Sequence, residues 1–329
     1  MLRLMKNCLT MALLALAVSL ASCSKTQKAA EKSSADQNAP RAFATPAEAG
    51  SALFEAAKAG DQNKLLAIFG PDGKDLLFSG DAVEDKNTRE LFVAAYSRMN
   101  RWDANKAGGE TLYVGADNFP FPIPLKKNVE GKWYFDTAAG KDEVLARRIG
   151  NNELVAINVL GDIADAQGIY FSQAHGGAKQ YAQKFVSDPG QQNGLYWEAA
   201  EGQPQSPLGP LGDVAKALGY SRSDKPQPFN GYYYRVLTKQ GGSAKGGERD
   251  FMKDGKLTGG FAVVAYPAKY GDSGIMSFMV GPDGVVFQRD LGEKTGDTAV
   301  AMAEFNPEGW AALTVEPLQR PTGPKSARK

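Results

Sequence analysis

The chain has 329 residues, 43% of them apolar, which is enough for about two domains that each bury a core. Its 38 basic side chains nearly balance its 37 acidic ones, so no overall field draws it to nucleic acid or to an acidic membrane. The composition therefore argues against disorder throughout the chain and against nucleic acid as a partner.

The N-terminus has the parts of a secretory signal. Arg3 and Lys6 give a positively charged start, and residues 11–20 form an apolar core that is too short to span a bilayer as a mature helix. Directly behind this core, the sequence Leu-Ala-Ser-Cys ends at Cys23 and resembles the lipobox of bacterial lipoproteins. The resemblance implies that residues 1–22 are a removed signal peptide and that Cys23 is acylated. Ordinary secretion or a retained membrane anchor is the alternative.

Lipidation of Cys23 leads to further expectations. The other cysteine, Cys8, lies in the segment that would be removed, so the mature chain has no thiol left for a disulfide, a zinc site or a nucleophile. Ser24 follows the lipidated residue, and by resemblance to Gram-negative sorting patterns a serine rather than an aspartate favours the outer membrane. We therefore predict a protein of the bacterial cell envelope that faces the periplasm and binds the membrane through its N-terminal lipid.

A tether and three helices are predicted next. Residues 23–44 are rich in Lys, Ala, Ser, Gln and Asp and lack apolar periodicity, which indicates a flexible tether. The first predicted domain, residues 45–140, begins with a helix that Thr45 caps, followed by a short helix that Asp61 caps. A third helix is predicted at residues 87–98.

Strands follow these helices. Residues 111–115 and 132–136 are predicted strands, whereas prolines at every second position of 120–124 allow at most an edge strand there. Helices followed by strands that end in Gly-Lys-Trp-Tyr-Phe-Asp resemble a small cone-shaped α+β domain of the nuclear-transport-factor-2-like (NTF2-like) kind. The resemblance implies a fold that often encloses a pocket.

The second predicted domain, residues 141–316, is organised around a long helix. Between residues 152 and 174 apolar side chains return at helical spacing, which gives the helix one buried face. Residues 138–150 are predicted to be helical as well and to run into it, with a bend near Gly150. The Gly-Gly pair after His175 is expected to end the helix with a left-handed cap.

The buried face of this helix requires a sheet. Four runs rich in Val, Tyr and Phe supply one, at residues 229–237, 259–267, 275–280 and 285–291. The Gly-Pro-Asp-Gly sequence between the last two runs predicts a hairpin turn. We therefore predict an α+β fold in which the long helix packs on an antiparallel sheet, followed by a disordered tail at residues 317–329.

Several segments of the second domain carry a resemblance to a bacterial family of exported proteins, "domain of unknown function 2950". They are Gly-Leu-Tyr-Trp from Gly194, Ser-Pro-Leu-Gly-Pro-Leu from Ser206, Gly-Tyr-Tyr-Tyr-Arg-Val-Leu from Gly231, and Gly-Phe-Ala-Val-Val-Ala-Tyr-Pro from Gly260, followed by Tyr270-Gly271. The resemblance covers nearly the whole mature chain. It implies no established activity and no catalytic residues.

The C-terminal half is also similar to the globular part of type IV pilins and pseudopilins. It shares with them a long helix, a loop region rich in Gly and Tyr, and a meander of strands. It departs from pilins because the only apolar N-terminal segment is the signal peptide that would be removed. Assembly into a filament through the membrane is therefore not expected.

The sequence offers one catalytic motif, and a simpler interpretation accounts for it. Gly-Asp-Ser-Gly around Ser273 matches the nucleophile motif of trypsin-like proteases, and His175 is the single histidine of the chain. Such a serine requires an imidazole that a buried carboxylate orients, whereas a turn between two strands explains the motif without catalysis. A single histidine also argues against a His-based metal centre. Carboxylates alone could bind calcium near Asp283 or near Asp250 and Asp254, but their spacing matches no known calcium loop, so these acids are interpreted as solvated turn residues. No catalytic residue, metal or cofactor is predicted.

Aromatic side chains are the remaining candidates for a binding surface. Such residues bind carbohydrates or peptides, although packing in a core or on a sheet is their more frequent use. The candidate surface comprises Tyr196, Trp197, Tyr232, Tyr234, Tyr266 and Tyr270.

We expect a non-catalytic binding or scaffolding module of the cell envelope, with an envelope protein or a glycan as its partner. One alternative is a hydrolase that uses carboxylates in the cleft between the domains. Another is small-ligand binding in the N-terminal cone.

Overall fold

The computed structural model describes residues 39–175, 177–200, 202–220 and 225–313. The predicted signal peptide, Cys23 and the predicted tail at residues 317–329 lie outside this range. Below, the N-terminal half means residues 39–136, and the C-terminal half means the described residues from 173 onward.

The N-terminal half begins with helices whose ends follow from local sequence. They are α1 (Pro46–Ala59), α2 (Gln62–Phe69), α3 (Lys74–Leu77) and α4 (Ala82–Arg98). Thr45 caps α1 by accepting the N–H of Glu48 at 3.2 Å, and the Glu48 carboxylate accepts the N–H of Ala44 at 3.0 Å. Asp61 caps α2 in the same way, as predicted. The third helix starts earlier than predicted because Asp81 supplies an N-cap ahead of residue 87.

The helices pack on a five-stranded antiparallel sheet. Its strands are β1 (Asn100–Ala104), β2 (Glu110–Val114), β3 (Phe119–Pro120), β4 (Leu125–Lys127) and β5 (Trp133–Phe135), in the order β1-β2-β4-β5 with β3 beside β2. The strands predicted at 111–115 and 132–136 are confirmed. The strand containing Pro120 is only two residues long and pairs with β2 alone, as its prolines require. Between helices and sheet, the interior is filled by aromatic rings, whose centroids lie 5.3 to 6.4 Å apart for Phe69, Phe121 and Phe135.

One helix, α5 (Thr137–Ser172), belongs to both halves of the molecule. The two predicted helical segments are continuous through Gly150, and the predicted domain boundary at residue 141 falls inside the helix. Val144 and Leu145 pack against the N-terminal core, whereas the stretch after residue 155 packs against the C-terminal core. Among the described residues, α5 is the one helix with the length and apolar content of a membrane span, and it packs on both cores.

The end of α5 differs from the prediction. The helix stops at Ser172 with Gln173 in an extended conformation, so it ends before the glycines predicted to cap it. Instead β6 (Ala174–His175) and β7 (Ala178–Lys179) pair as a small hairpin, with Gly177 at φ +80° in its turn. Gly177 serves a tight reversal of the chain, because α5 has already ended before it.

The remaining elements of the C-terminal half comprise a second five-stranded sheet, of order β17-β15-β14-β13-β8, and the helices and short strands around it. In chain order they are α6 (Gly209–Ala217), β8 (Tyr232–Leu237), β9 (Lys239–Gln240), β10 (Arg249–Asp250), β11 (Met252–Lys253), β12 (Lys256–Leu257), β13 (Ala262–Pro267), β14 (Met276–Val280), β15 (Val286–Asp290), α7 (Thr295–Ala301), β16 (Glu304–Phe305) and β17 (Ala311–Ala312). The four predicted strands and the hairpin turn between β14 and β15 are confirmed.

Both faces of this sheet are covered, which explains the unbroken apolar sequence of β13. One face packs on α5 through fully or nearly fully buried side chains, among them Leu160, Ile163, Tyr232, Val263 and Phe278. The opposite face packs on the short strands and loops through Leu237, Phe251, Val264, Met279 and Phe305. The predicted α+β architecture of helices with antiparallel sheets is confirmed, with one short parallel pairing between β9 and β16.

Candidate functional site

An open cavity of about 990 Å³, which we call the cleft, lies beside α5 in the C-terminal half. Its apolar floor comes from Val159 and Ile163 of α5 and from Tyr234 of β8. Its walls are the loop 185–198, helix α6 and the segment 227–229. The aromatic side chains that line it are Phe185, Tyr196, Trp197, Tyr220, Phe229 and Tyr234.

Backbone hydrogen bonds fix the aromatic residues of the loop. The N–H of Tyr196 donates to the carbonyl of Phe185 at 2.8 Å, and the carbonyl of Tyr196 accepts from Ser187 at 2.8 Å. Helix α6 packs directly on the Tyr196 ring, because a Cβ at Gly212 would lie 2.2 Å from that ring. The Trp197 indole donates to the carbonyl of Pro204 at 3.2 Å. The loop and α6 therefore form one wall with defined side-chain positions.

The cleft has few buried polar groups and a charged rim. The hydroxyl of Tyr234 is buried and has no hydrogen-bond partner among the described residues. Burial raises the pKa of Tyr234 far above its usual range, so the hydroxyl stays neutral. At the rim, Lys216 donates to Glu198 at 2.7 Å, and this hydrogen bond lowers the pKa of Glu198. A ligand in the cleft would thus meet apolar side chains inside and charges at the opening.

A second polar group of residues lies where the two halves meet. Asp81, the N-cap of α4, is 3% exposed, and its Oδ1 accepts the N–H groups of Val83 and Glu84, each at 3.1 Å. Its Oδ2 accepts the hydroxyl of Tyr220 at 2.7 Å and the N–H of Gly231 at 3.3 Å. One carboxylate therefore starts a helix in the N-terminal half and holds two points of the C-terminal half.

Glu84 is half-buried beside Asp81 and faces α5. Its Oε2 lies 3.4 Å from the Nδ2 of Asn152, which also donates to the carbonyl of Ser273 at 3.1 Å. Burial, followed by the negative charge of Asp81, raises the pKa of Glu84 to about 7, although Arg148 acts in the opposite direction. We call the contact formed by Asp81, Glu84, Asn152, Tyr220 and Gly231 the junction.

Next to the junction, Arg148 of α5 forms a buried ion pair. Its side chain is 11% exposed and donates to the carboxylate of Asp272, which is 6% exposed. The same guanidinium donates to the carbonyls of Asp75 and Leu76 in α3, so it joins three parts of the chain. Lys269 pairs with Asp272 at 2.7 Å and reaches Asp75 at 3.3 Å.

The protease-like motif lies in this same turn. Ser273 is fully buried, and its Oγ accepts the N–H of Lys269 at 3.0 Å and donates to the carbonyl of Lys269 at 3.2 Å. His175 stacks on Tyr170, with ring centroids 3.6 Å apart. Asn152, which contacts Ser273, and Tyr170 are separated by about 27 Å along α5. Serine and histidine thus lie beside widely separated parts of one helix, and the hydroxyl serves the turn.

A family model described as a protein of unknown function, DUF2950, matches residues 40–313. The chain belongs to the DUF2950 family. No curated protein and no solved structure matches it. The range matched by the DUF2950 model includes both halves of the structure, the cleft and the junction. The family is thus defined over the whole described fold, and the resemblance predicted from sequence is confirmed.

The structure of the DUF2950 protein brings some of the predicted surface residues together and separates others. Tyr196, Trp197 and Tyr234 meet in the cleft. Tyr232 is fully buried, and its hydroxyl donates to the carbonyl of Met276 at 2.8 Å, so it offers no contact surface.

The last two predicted surface residues lie away from the cleft. Tyr266 packs beside Tyr233 with ring centroids 5.6 Å apart. Tyr270 is half-buried, and its hydroxyl lies 3.2 Å from a carboxylate oxygen of Asp290. The predicted tyrosine-bearing sheet surface is therefore not one continuous patch in the DUF2950 protein.

The DUF2950 cleft contains aromatic residues that the sequence prediction did not select. Phe185, Tyr220 and Phe229 lie in loops, where no periodicity indicates which side chains point inward. Their common signal is the concentration of aromatic residues in a Gly- and Pro-rich region without regular structure. Within the described residues of the DUF2950 protein, no group of three or more His, Cys, Asp and Glu side chains is placed to hold a metal ion.

Proposed function

We propose that this DUF2950 protein is a non-catalytic binding module of the bacterial cell envelope and that the cleft is its binding site. The observation that carries the proposal is a concave, largely apolar surface lined by six aromatic rings. Small-molecule sites typically have volumes of roughly 300–1,000 Å³ and mainly apolar walls with few polar groups. The cleft, at about 990 Å³, matches this description at its upper end.

The lining favours an amphipathic ligand. Side chains such as Ile163, Leu208 and Leu211 suit an apolar or ring-shaped body, whereas Glu198 and Lys216 at the rim suit polar groups that remain in water. A glycan with hydroxyls on all sides would need more hydrogen-bond partners than these walls supply, because burying an unpaired hydroxyl is costly. The apolar part of an envelope lipid or of an envelope protein side chain is the better match.

Binding in the cleft can be measured with anilinonaphthalene sulfonate, an amphipathic fluorescent probe. We expect the probe to bind the wild type and to quench or shift the emission of Trp197. Trp197→Ala should weaken binding about tenfold, because buried aromatic residues commonly dominate binding free energy. Tyr270→Ala, which removes an aromatic residue outside the cleft, is the control and should bind the probe like the wild type. Equal affinities for the wild type and Trp197→Ala would contradict the assignment of the cleft.

The two alternative functions are less well supported by the geometry. A carboxylate hydrolase needs an acid with a raised pKa that faces a cleft, whereas Lys216 lowers the pKa of Glu198 at the cleft rim, and Asp81 and Asp85 accept backbone N–H groups. Ligand binding inside the N-terminal half needs free volume, whereas aromatic rings occupy the space between its helices and its sheet. The cleft, in contrast, has the concave and largely apolar surface that ligand binding requires.

We also propose a cellular location and a fold assignment for each half of this protein. Residues 1–22 are a signal peptide, and Cys23 is lipidated and holds the protein on the periplasmic side of the outer membrane. The N-terminal half is an NTF2-like cone, which is supported by four helices followed by an antiparallel sheet. The C-terminal half is pilin-like, which is supported by a long helix packed on a meander of strands.

Replacing Cys23 with Ser tests whether a lipid on this residue holds the protein on the membrane. We expect the wild type to sediment with membranes and to require detergent for release, and Cys23→Ser to appear in the soluble fraction. Acyl chains supply about 0.8 kcal/mol per buried CH₂, so their loss removes the membrane affinity. Cys8→Ser is the matched control, because it changes a cysteine within the removed segment and should leave the protein on the membrane. Mass spectrometry that finds an unmodified thiol at Cys23 would refute the proposal.

A further inference from the structure

One wall residue of the cleft, Tyr220, belongs to two sites. Its ring lines the cleft and packs edge-on against Phe229, another wall residue, with centroids 4.8 Å apart. Its hydroxyl donates to the Oδ2 of Asp81 at 2.7 Å and accepts the N–H of Asn230 at 3.1 Å. The position of the ring in the cleft is therefore fixed by a carboxylate from the N-terminal half.

A second contact from the N-terminal half fixes the helix that leads to Tyr220. The Nδ2 of Asn87 in α4 donates to the carbonyl of Leu218 at 3.0 Å, just beyond the end of α6. Carbonyls at a helix end have no partner within the helix, so this bond satisfies one of them. Since α6 supplies Leu211, Gly212, Ala215 and Lys216 to the cleft, α4 holds both α6 and Tyr220 in place.

We propose that Asp81 and Tyr220 are positioning residues for the cleft, so that its ligand affinity is set by the junction with the N-terminal half. The inference rests on the proposed function of the cleft, and it adds that the junction regulates ligand binding there. Asp81 is buried and accepts four hydrogen bonds, so the wall cannot move away without leaving this carboxylate partly unpaired. The free energy of the junction therefore opposes any loosening of the wall.

The charge of Glu84 makes this positioning sensitive to pH. The charged and titratable groups that act on it are Asp81 and Asp85 from α4, Arg148 from α5, and Tyr220 from the cleft wall. The pKa of Glu84 is raised to about 7, above the value of 4.5 for a free side chain, so the folded protein binds this proton more tightly than the unfolded chain does. The stabilising effect is complete below pH 4.5 and is lost as the pH rises through 7, where a second negative charge develops beside Asp81.

Affinity of the cleft for anilinonaphthalene sulfonate tests the inference. Tyr220→Phe keeps the ring and removes its bond to Asp81, and we expect about fivefold to tenfold weaker binding at pH 6, because a hydrogen bond to a charged group is lost. Tyr233→Phe, on a residue that lines neither the cleft nor the junction, is the matched control and should bind like the wild type. Equal binding by Tyr220→Phe and the wild type would overturn the positioning role.

A pH profile separates positioning from a merely structural role. Between pH 6 and 8.5 the affinity of the wild type should fall about fivefold, a change of roughly 1 kcal/mol. Glu84→Gln should remove most of this fall, because it keeps a side chain able to bind Asn152 but carries no charge. Glu90→Gln, on the exposed side of the same helix, should retain it. If the affinity of Glu84→Gln fell as much as that of the wild type, the charge of Glu84 would have no role in positioning the cleft wall.

Hydrogen exchange of residues 209–219 gives a readout that needs no ligand. After correction for intrinsic exchange rates, we expect α6 to be less protected in Tyr220→Phe than in the wild type, and at pH 8.5 less protected in the wild type than in Glu84→Gln. If the wild type takes up no probe, the proposed function fails, and the exchange rates alone decide whether the junction holds α6. Identical protection in all variants would overturn the coupling while leaving probe binding as evidence for the cleft.

Discussion

Replacing Arg148 with Met is expected to lower the free energy of unfolding by about 3 kcal/mol, because it leaves buried polar groups without their partner. Arg148 is 11% exposed and binds the carboxylate of Asp272 together with carbonyls of Asp75 and Leu76. The loss is placed at the lower end of the range for broken buried ion pairs because Lys269 still pairs with Asp272 at 2.7 Å. Urea denaturation followed by circular dichroism measures the change.

Two further variants make this prediction specific. Arg147→Met removes the neighbouring arginine, whose side chain is 31% exposed, pairs with Glu143 and donates to the carbonyl of Pro120 at 2.8 Å, and it should cost about 1 kcal/mol. Adding Asp272→Asn to Arg148→Met should recover part of the loss, because it removes the carboxylate that the first change left undercompensated. If Arg147→Met and Arg148→Met were equally destabilising, general charge rather than the buried pair would be responsible.

Most helices and strands could be predicted because the signals that form them are local. The side chains of Thr45 and Asp61 cap helices that begin directly after them, and runs of Val, Tyr and Phe between turns form the C-terminal strands. The elements that sequence did not indicate are the short or polar ones. Helix α3 has only four residues, and in β1 only Trp102 packs against the core. Neither segment therefore shows the apolar periodicity that predicts a helix or a strand.

The end of α5 shows where a local signal allows two outcomes. Two glycines after His175 permit a left-handed helix cap and equally permit a tight hairpin turn. The structure takes the hairpin, with the ring of His175 stacked on that of Tyr170. Because the glycines are compatible with both outcomes, the sequence alone could not choose between them.

The cleft and the junction could not be predicted in this way because they join residues far apart in sequence. Tyr220 and Asp81, for example, are 139 residues apart. Aromatic composition selected Trp197, which lines the cleft together with Tyr196 and Tyr234. The same signal also selected Tyr232, which alternation places on the same face of β8 as Tyr234. What separates these two tyrosines is how α5 and α6 cover that face, which the tertiary fold determines.

Leu160→Ala is expected to lower the free energy of unfolding by about 2–5 kcal/mol, because it leaves a cavity in a close-packed core. Leu160 is fully buried on the face of α5 that packs against the C-terminal sheet, in the same core as Phe278 and Val263. Leu154→Ala, on the same helix but 64% exposed, removes the same atoms and should change stability by less than about 0.5 kcal/mol. Urea midpoints that did not differ between these two variants would contradict the packing of α5 on the sheet.

The same pair of variants tests whether α5 joins the two halves into one folding unit. Val144 and Leu145 place its first turns in the N-terminal core, so a loss of packing at Leu160 should destabilise both halves together. Tryptophans in the N-terminal half, Trp102 and Trp133, report its unfolding once those of the C-terminal half are replaced by Phe. In that background, Leu160→Ala should shift the tryptophan transition and the circular dichroism transition to the same urea concentration, as coincident two-state unfolding requires. Separate midpoints would show that α5 does not couple the halves, because the N-terminal core would then remain folded after the C-terminal core had unfolded.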